Sequence, residues 1–408
     1  LKPIVLVVTT MRWLPTARLA VALADAGFTV ETVCPAGHSI AKTTVLKRAF
    51  IYRGLTPLKS IRVAMEATKP DLLIPGDDLA TMHLHHLHKQ YSADPRQSNA
   101  GKFGETICAL IERSIGAPEN FAVIDDRTAF MHASRQAGVR VPCTEAVEND
   151  QALQEFAAKY GYPMVLKANG TSGGTGVRIV RHEQEARKAL RTLQAPPDFH
   201  RAMKRAVFDR NTTMLGPSVR RTKCLVNAQS FVDGTEATSV VACWQGQVLA
   251  GLHFEVLQKT NPSGPATVLR RIVHPEMTAA AEKMAHRLKL SGLHGFDFML
   301  DAQRNAFLIE INPRITQVGH LNMGVGQDLP RALVSIPFGK EIQQVPAVTD
   351  SDIVALFPKE WLRDPDSPYL QDGYHDVPWD QPELVRIYTE KPSGYGVRKL
   401  VQRYLLKR

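Results

Sequence analysis

Long apolar runs are missing from this 408-residue chain. None approaches the about 20 residues that would span a bilayer, which excludes a membrane-spanning helix. Cysteine is scarce and scattered. Cys34, Cys108, Cys143, Cys224 and Cys243 are odd in number and show no Cys-x-x-Cys or Cys/His zinc spacing. Free thiols in a reducing cytoplasm are the reading that follows. A Gly-x-Gly-x-x-Gly fingerprint is lacking, which argues against a dinucleotide, and no low-complexity tract points to disorder. The apolar start Leu1–Thr10 is too short for a signal peptide and has no cleavage region. It reads as a buried strand, and an opening Leu leaves room for native residues before it.

Acidic residues are outnumbered, 40 Asp and Glu against 50 Lys and Arg, for a net charge of +10. That balance alone could serve nucleic acid, but neither an aromatic-rich RNA-binding motif nor a recognition helix accompanies it. A positive field equally favours ATP and small carboxylates, so no nucleic-acid partner is expected. With 44% hydrophobic and 22% charged residues the chain has the makeup of a soluble globular protein. Its length allows two or three domains.

Residues 1–118 alternate strand and helix patterns: strands at Ile4–Thr9, Thr29–Cys34 and Asp71–Pro75, helices at Thr16–Ala26 and Ser60–Thr68. This grammar predicts an open parallel α/β sheet with its ligand side at the strand carboxyl ends. Thr9 to Arg12 lie at one such end and Gly76, Asp77 and Asp78 at another. The two aspartates either face a substrate ammonium or cap the next helix. That helix carries His83, His85, His86 and His88, whose i,i+3 pairs lie on different faces without an intervening carboxylate, so surface or interface histidines are expected rather than a metal site.

Three later segments carry chemistry. In the first, Gly292–Leu300 and Ala306–Arg314 read as two short strands, Gly295–Leu300 and Ala306–Ile311, joined by a polar turn at Asp301–Asn305. Alternation would set Leu308, Glu310 and Asn312 on one face, with Asp297 beside them. Two carboxylates and an amide oxygen suit Mg²⁺, which completes its octahedron with water and phosphate; a solvated hairpin is the other reading. Arg314 follows as a fixed cation for an anionic group. In the second, a β-type run Met164–Ala168 delivers Lys167, and Val177–Val180 returns from a loop holding Gly173, Gly174 and Gly176. Such a loop can offer backbone N–H groups to a phosphate, or is merely a flexible turn. In the third, a strand Leu225–Val232 and a strand Glu236–Trp244 read as a hairpin around Asp233-Gly234. Its edge would suit an adenine and Glu236 a ribose diol, unless it is an ordinary hairpin with an exposed Glu.

In order and spacing these segments resemble the ATP-grasp superfamily, which includes biotin carboxylase, D-alanine–D-alanine ligase and the large subunit of carbamoyl-phosphate synthetase. The resemblance covers about residues 1–335, its motifs running from Phe121 to Gln327. It implies an N-terminal α/β domain (1–118), a two-lobed α+β ATP-grasp domain (119–338) and a C-terminal appendage (339–408) packed on the lobes. It further implies Lys167 on the ATP phosphates under a loop containing Gly173, Gly174 and Gly176. Gln229, Ser230, Phe231 and Val232 become the adenine edge, and Glu236 the ribose ligand. Asp297, Glu310 and Asn312 would bind Mg²⁺, with Mn²⁺ an alternative, and Arg314 would steady the acyl phosphate. The family usually opens this domain with an Asp-Lys pair whose Lys meets the nucleotide phosphates; here Asp126-Arg127 stands in that place, and Arg127 is expected at the ATP phosphates, keeping charge but not donor geometry. The basic end Val397–Leu406 is expected as a helix, either solvated, at a dimer contact, or touching an anionic membrane.

The implied activity is an ADP-forming ligase that joins a carboxylate to an amine or thiol through an acyl phosphate. A single ATP-grasp unit disfavours full carbamoyl-phosphate synthesis. Biotin carboxylation is disfavoured because Ile315–His320 lacks that enzyme's acidic residue before the His. The rival is a non-catalytic nucleotide-binding or scaffold protein, against which the retention of all three metal ligands argues. Partners are thus small carboxylates and amines or thiols, with a homodimer left open.

Overall fold

The computed structural model describes residues 2–93, 101–169, 176–196, 198–200, 203, 218–262, 264–340 and 345–390. Among them no helix is long and apolar enough to cross a membrane.

The N-terminal Val/Ile/Leu runs form a parallel sheet. β1 (Ile4–Val8), β2 (Thr29–Cys34), β3 (Leu46–Ile51) and β4 (Leu72–Pro75) lie in the order β3-β2-β1-β4. A sheet covered on both faces needs nearly continuous apolar strands. Accordingly Val5 and Val7 enter one core, while Leu6 and Val8 enter another on the opposite face. The pattern missed β3, an edge strand whose Lys47, Arg48 and Ala49 are exposed, so it reads as a loop. It also missed the helix Gly101–Ile115. At the carboxyl ends, Gly76 brings β4 against β1: a Cβ there would lie 2.5 Å from Thr16 Cγ2 and 3.0 Å from Thr9 Cβ.

The histidine-bearing helix, Asp78–Ala93, corrects one expectation. Only His86 is exposed; His83, His85 and His88 are buried. Each has a partner: His83 lies 3.0 Å from Tyr52 Oη, His85 2.9 Å from Asp125 and His88 2.7 Å from Glu112. His85 also stacks on Phe121. Helix Gly101–Ile115 packs on this helix and brings Glu112 to His88, while Tyr52 meets His83 and Phe121 stacks on His85. Among the described residues no group of three or more His, Cys, Asp or Glu side chains gathers to hold a metal.

Two further sheets follow. The smaller contains β5 (Thr144–Ala146), β6 (Met164–Ala168), β7 (Val177–Val180) and β8 (Val226–Ser230), in the order β5-β8-β6-β7 and wholly antiparallel. Helices Asp150–Tyr160 and Glu183–Gln194 close its core through Leu153, Phe156 and Leu190. The larger contains β9 (Thr235–Trp244), β10 (Gln247–Lys259), β11 (Ala266–Arg271), β12 (Gly292–Leu300), β13 (Ala306–Asn312), β14 (Ile353–Ala355) and β15 (Tyr374–His375). Their order is β13-β12-β9-β10-β11-β14-β15. Helix Pro275–Leu288 lays Met277, Met284 and Leu288 on Phe296, Phe298 and Leu308. Both phenylalanines are fully buried, and truncating either to Ala would cost about 3–5 kcal/mol.

Three corrections come from the topology. The Leu225–Val232 and Glu236–Trp244 segments are not a hairpin, because β8 and β9 belong to different sheets and residues 231–234 cross from one lobe to the other. Asp-Gly turn chemistry cannot tell a hairpin from a crossing. Leu308 does not share a face with Glu310: a register shift pairs Asp297 with Glu310 but Phe298 with Leu308, leaving Ile309 as a bulge. Leu308 therefore enters the core, and Glu310 and Asn312 turn away from it. Finally, residues 345–390 are more than an appendage. β14 extends the large sheet beside β11, and Leu356, Phe357, Val377 and Leu384 share a core with Leu23 and Phe254. The same segment holds the N-terminal domain, where Thr44 N donates to Gln381 Oε1 at 3.1 Å. The basic stretch Val397–Leu406 lies outside the described residues.

Candidate active site

The two carboxylates are cross-strand neighbours. Asp297 on β12 stands opposite Glu310 on β13 and Thr238 on β9. Phe296 and Phe298 anchor β12 by its apolar face, so Asp297 between them turns to the other side. Its Oδ1 accepts from Thr238 Oγ1 at 2.9 Å and its Oδ2 from Asn312 Nδ2 at 2.8 Å. Desolvation first, and the Glu310 charge second, push the Asp297 pKa up to about 6. Thr238 was not anticipated, although it lies two residues past Glu236 on the same strand face.

Glu310 has a distant partner. Arg127 Nη2 donates to Glu310 Oε1 at 2.6 Å, and Nη1 to the Ala168 carbonyl at 3.4 Å. Arg127 opens the helix Arg127–Gln136, whose N-cap Asp126 accepts from Ala129 N at 2.7 Å. Arg127, expected at phosphate, thus reaches both Glu310 and the end of β6.

Lys167 stands there, 5% exposed, in register with Val177 and Asn227. Burial lowers its pKa to about 8 against the pull of Glu310, while Arg127 adds to the lowering and Asp297 opposes it. The four groups are close enough to feel one another. Gly176 accepts a hydrogen bond from Ala168 N at 2.9 Å, closing the strand pair below the loop. Gly173 and Gly174 lie outside the described residues.

Gln229 is buried and donates through Nε2 to Thr144 Oγ1 at 3.0 Å. Ser230 N donates to the Cys143 carbonyl at 2.8 Å, and Cys143 N to Ser230 Oγ at 3.0 Å. Phe231 and Val232 are half-buried in the lobe crossing. Glu236 is exposed; its Oε1 accepts from Lys259 Nζ at 2.6 Å, beside a cavity of about 450 Å³ lined by Thr235, Glu236, Leu257 and Asn261 among others.

Arg314 leans on the N-terminal domain. Nε donates to Asp78 Oδ1 at 2.9 Å, Nη2 to Asn312 Oδ1 at 3.0 Å and Nη1 to the Ile315 carbonyl at 2.9 Å. Its guanidinium lies 5.3 Å over the Trp13 ring. It does not pair with Glu310, which Arg127 already occupies. Of the two roles left open for the aspartate pair, Asp77 takes the cap, accepting from Ala80 N at 3.0 Å and from Thr10 N at 2.6 Å. Asp78 faces Arg314. Trp13 and Asp78 come from strand carboxyl ends 236 residues or more from Arg314, and only the parallel-sheet rule hinted at them.

A family model described as the carbamoyl-phosphate synthase L chain, ATP binding domain, matches residues 126–345, more than half of the chain. The chain belongs to this ATP-grasp family. ATP-grasp relatives include the mitochondrial methylcrotonoyl-CoA carboxylase subunit alpha of Mus musculus, 29% identical over 56% of this chain and 30% of that one. The biotin carboxylase of Halalkalibacterium halodurans is 25% identical over 70% of this chain and 66% of its own. The chain spans under a third of the first relative's length and 19% of the pyruvate carboxylase of Pichia angusta. Among solved structures, the biotin carboxylase domain dimer of Hydrogenobacter thermophilus 2-oxoglutarate carboxylase, with MgADP and bicarbonate, has a TM-score of 0.58 at 16% identity, covering 84% of this chain and 71% of that one. The N5-carboxyaminoimidazole ribonucleotide synthetase of Thermus thermophilus gives 0.57 at 15%, covering 84% and 80%. At that identity the shared property is the fold alone.

Proposed function

We propose that this ATP-grasp ligase phosphorylates a carboxylate and passes the acyl group from the acyl phosphate to an amine or thiol, releasing ADP and phosphate. The convergence of Lys167, Arg127, Asp297 and Glu310 carries the reading, because phosphoryl transfer needs alignment and charge more than covalent help. Asp297, Glu310 and Asn312 fit Mg²⁺: two carboxylates and an amide, one carboxylate held against desolvation, leave the rest of an octahedron to water and phosphate. Such an ion, or Mn²⁺ on the same ligands, would neutralise charge on the phosphates.

The chain's own groups divide the remaining work. Lys167 and Arg127 bind phosphate oxygens, backbone N–H groups of Gly173, Gly174 and Gly176 add further donors to them, and residues 229–232 border the adenine with Glu236 at the ribose. Arg314, braced by Asp78 and Trp13, holds the acyl phosphate and its precursor carboxylate. The attacking group comes from the second substrate, so no Ser/His/Asp triad is required. Gly319 stands where a biotin carboxylase would carry an acid, which turns the proposal from biotin toward another acceptor. A cytoplasmic homodimer belongs to the same reading, since the 2-oxoglutarate carboxylase domain is a dimer; sedimentation would test it.

ADP release with MgATP and a library of carboxylates, bicarbonate among them, crossed with amines and thiols tests the reaction. ADP formation that requires both acceptors supports it. Nucleotide binding without acceptor-dependent ADP would favour the scaffold alternative.

A further inference from the structure

One cation of the large lobe stands apart from its neighbours. Arg127 has Glu310, Arg314 has Asp78, Arg18 has Asp376 and Arg363 has Glu360. Lys359, between β14 and Arg363, is held by a neutral group: its Nζ donates to Gln317 Oε1. Among the described residues no carboxylate forms an ion pair with it. Burial alone lowers its pKa, to about 8, with no acid pulling the other way. Lys167 is shifted as far, but with Glu310 and Asp297 opposing the shift.

Gln317 lies three residues past Arg314, in a turn that Gly295 admits against β12: a Cβ at 295 would lie 2.4 Å from Thr316 Cγ2. Beside it are two buried polar atoms with no partner among the described residues, Thr316 Oγ1 and His320 Nδ1. His320 Nε2 is fixed 2.9 Å from Asp376 Oδ2, leaving the other nitrogen unused. A buried polar atom without a partner costs about 1–3 kcal/mol, and a desolvated cation without a counter-charge costs more. An anionic ligand would relieve the cation directly.

Resting on the ligase reading, we propose that Lys359 binds an anionic group of the substrate, a carboxylate or a phosphate remote from the carboxyl held at Arg314. Two fixed cations, one at each end of the 314–317 turn, would then select a substrate with a second negative charge and reject its neutral-tailed analogues. Gln317 keeps the ammonium in place until the ligand arrives.

The test reads Lys359 directly. The full chain with MgADP is treated with a dilute acetylating reagent at pH 8, and modification is followed by peptide mass spectrometry. Succinate, inorganic phosphate and ribose 5-phosphate are added in separate arms, with exposed Lys89 as the internal control. At saturation at least one probe should slow Lys359 acetylation about tenfold, as expected when a charge-assisted bond holds the ammonium, and leave Lys89 unchanged. Protection by succinate identifies a carboxylate, and protection by the phosphates a phosphate. Once an acceptor pair is known, Lys359→Gln should raise its KM about tenfold without weakening ADP, and Lys359→Arg should restore it in part. Equal reactivity of Lys359 in every arm would overturn the proposal even if acceptor-dependent ADP release established the ligase. Protection without any such release would keep the anion site and remove the ligase reading.

Discussion

Arg127 Nη2 lies 2.6 Å from Glu310 Oε1, joining residues 183 positions apart. The cation assigned to the nucleotide phosphates thus rests on a carboxylate assigned to the metal. On the proposed assignment, phosphate entering the cleft would offer Arg127 a second anion and would free Glu310 for the ion that accompanies it. Nucleotide and metal are therefore expected to bind together.

Glu310→Gln tests that coupling. A neutral amide cannot balance a divalent charge, so most of the Mg²⁺-dependent thermal stabilisation by nucleotide should vanish. Undiminished stabilisation in the variant would remove Glu310 from the metal site.

Asp297 gives a stability prediction of known sign. Its folded pKa of about 6 lies above the unfolded value of about 3.9. The folded chain holds this proton longer, so stability from it is present below about pH 4 and lost as pH rises to about 6. Asp297→Asn should therefore raise the melting temperature of the metal-free chain at pH 8, narrow that difference at pH 4, and abolish the metal response. A lower melting temperature at pH 8 would show that the ionised carboxylate is structural.

Lys167 makes the complementary case. Its folded pKa of about 8 is below lysine's usual value of about 10.4, and in the proposed role it is the charged form that would bind phosphate. ATP and ADP affinity should weaken above about pH 8, by up to about tenfold per pH unit for loss of one proton. Lys167→Met should weaken both nucleotides, spare adenosine more, and flatten that pH dependence. Equal weakening of all three ligands would mean that Lys167 supports the fold instead.

What could be read in advance follows from the range of the forces involved. Lys167, Asp297 and Glu310 sit on short strands whose alternation and spacing survive in the sequence, so their elements were legible. The face of Leu308 was not, because one bulge residue, Ile309, reverses the alternation and leaves no local mark. The partners of the charges were the least legible. Arg127 with Glu310, and Arg314 with Asp78, depend on how three sheets meet, and charge patterning along a chain carries no such information. The same holds for residues 231–234, where a turn signature marks a crossing between lobes.

Arg314 separates chemistry from bracing. Its fork can hold two oxygens, which a lysine cannot. Arg314→Lys should leave ATP affinity nearly intact and cut turnover about 10²-fold or more, by analogy with loss of one preorganised donor. A purely structural Arg314 would be one that ties down Asp78, and then Asp78→Asn should reproduce its effects. Near-normal turnover with a lowered melting temperature in Arg314→Lys would refute the catalytic assignment.

The central claim is that a carboxylate oxygen leaves with the γ-phosphate. Carboxylic acids labelled with ¹⁸O, offered with MgATP and the amine or thiol that supports ADP release, put the label where ³¹P NMR can count it. The account predicts one labelled oxygen in the phosphate for each bond formed, with none appearing in Arg314→Lys beyond its residual turnover. Product and ADP formed with wholly unlabelled phosphate would contradict it.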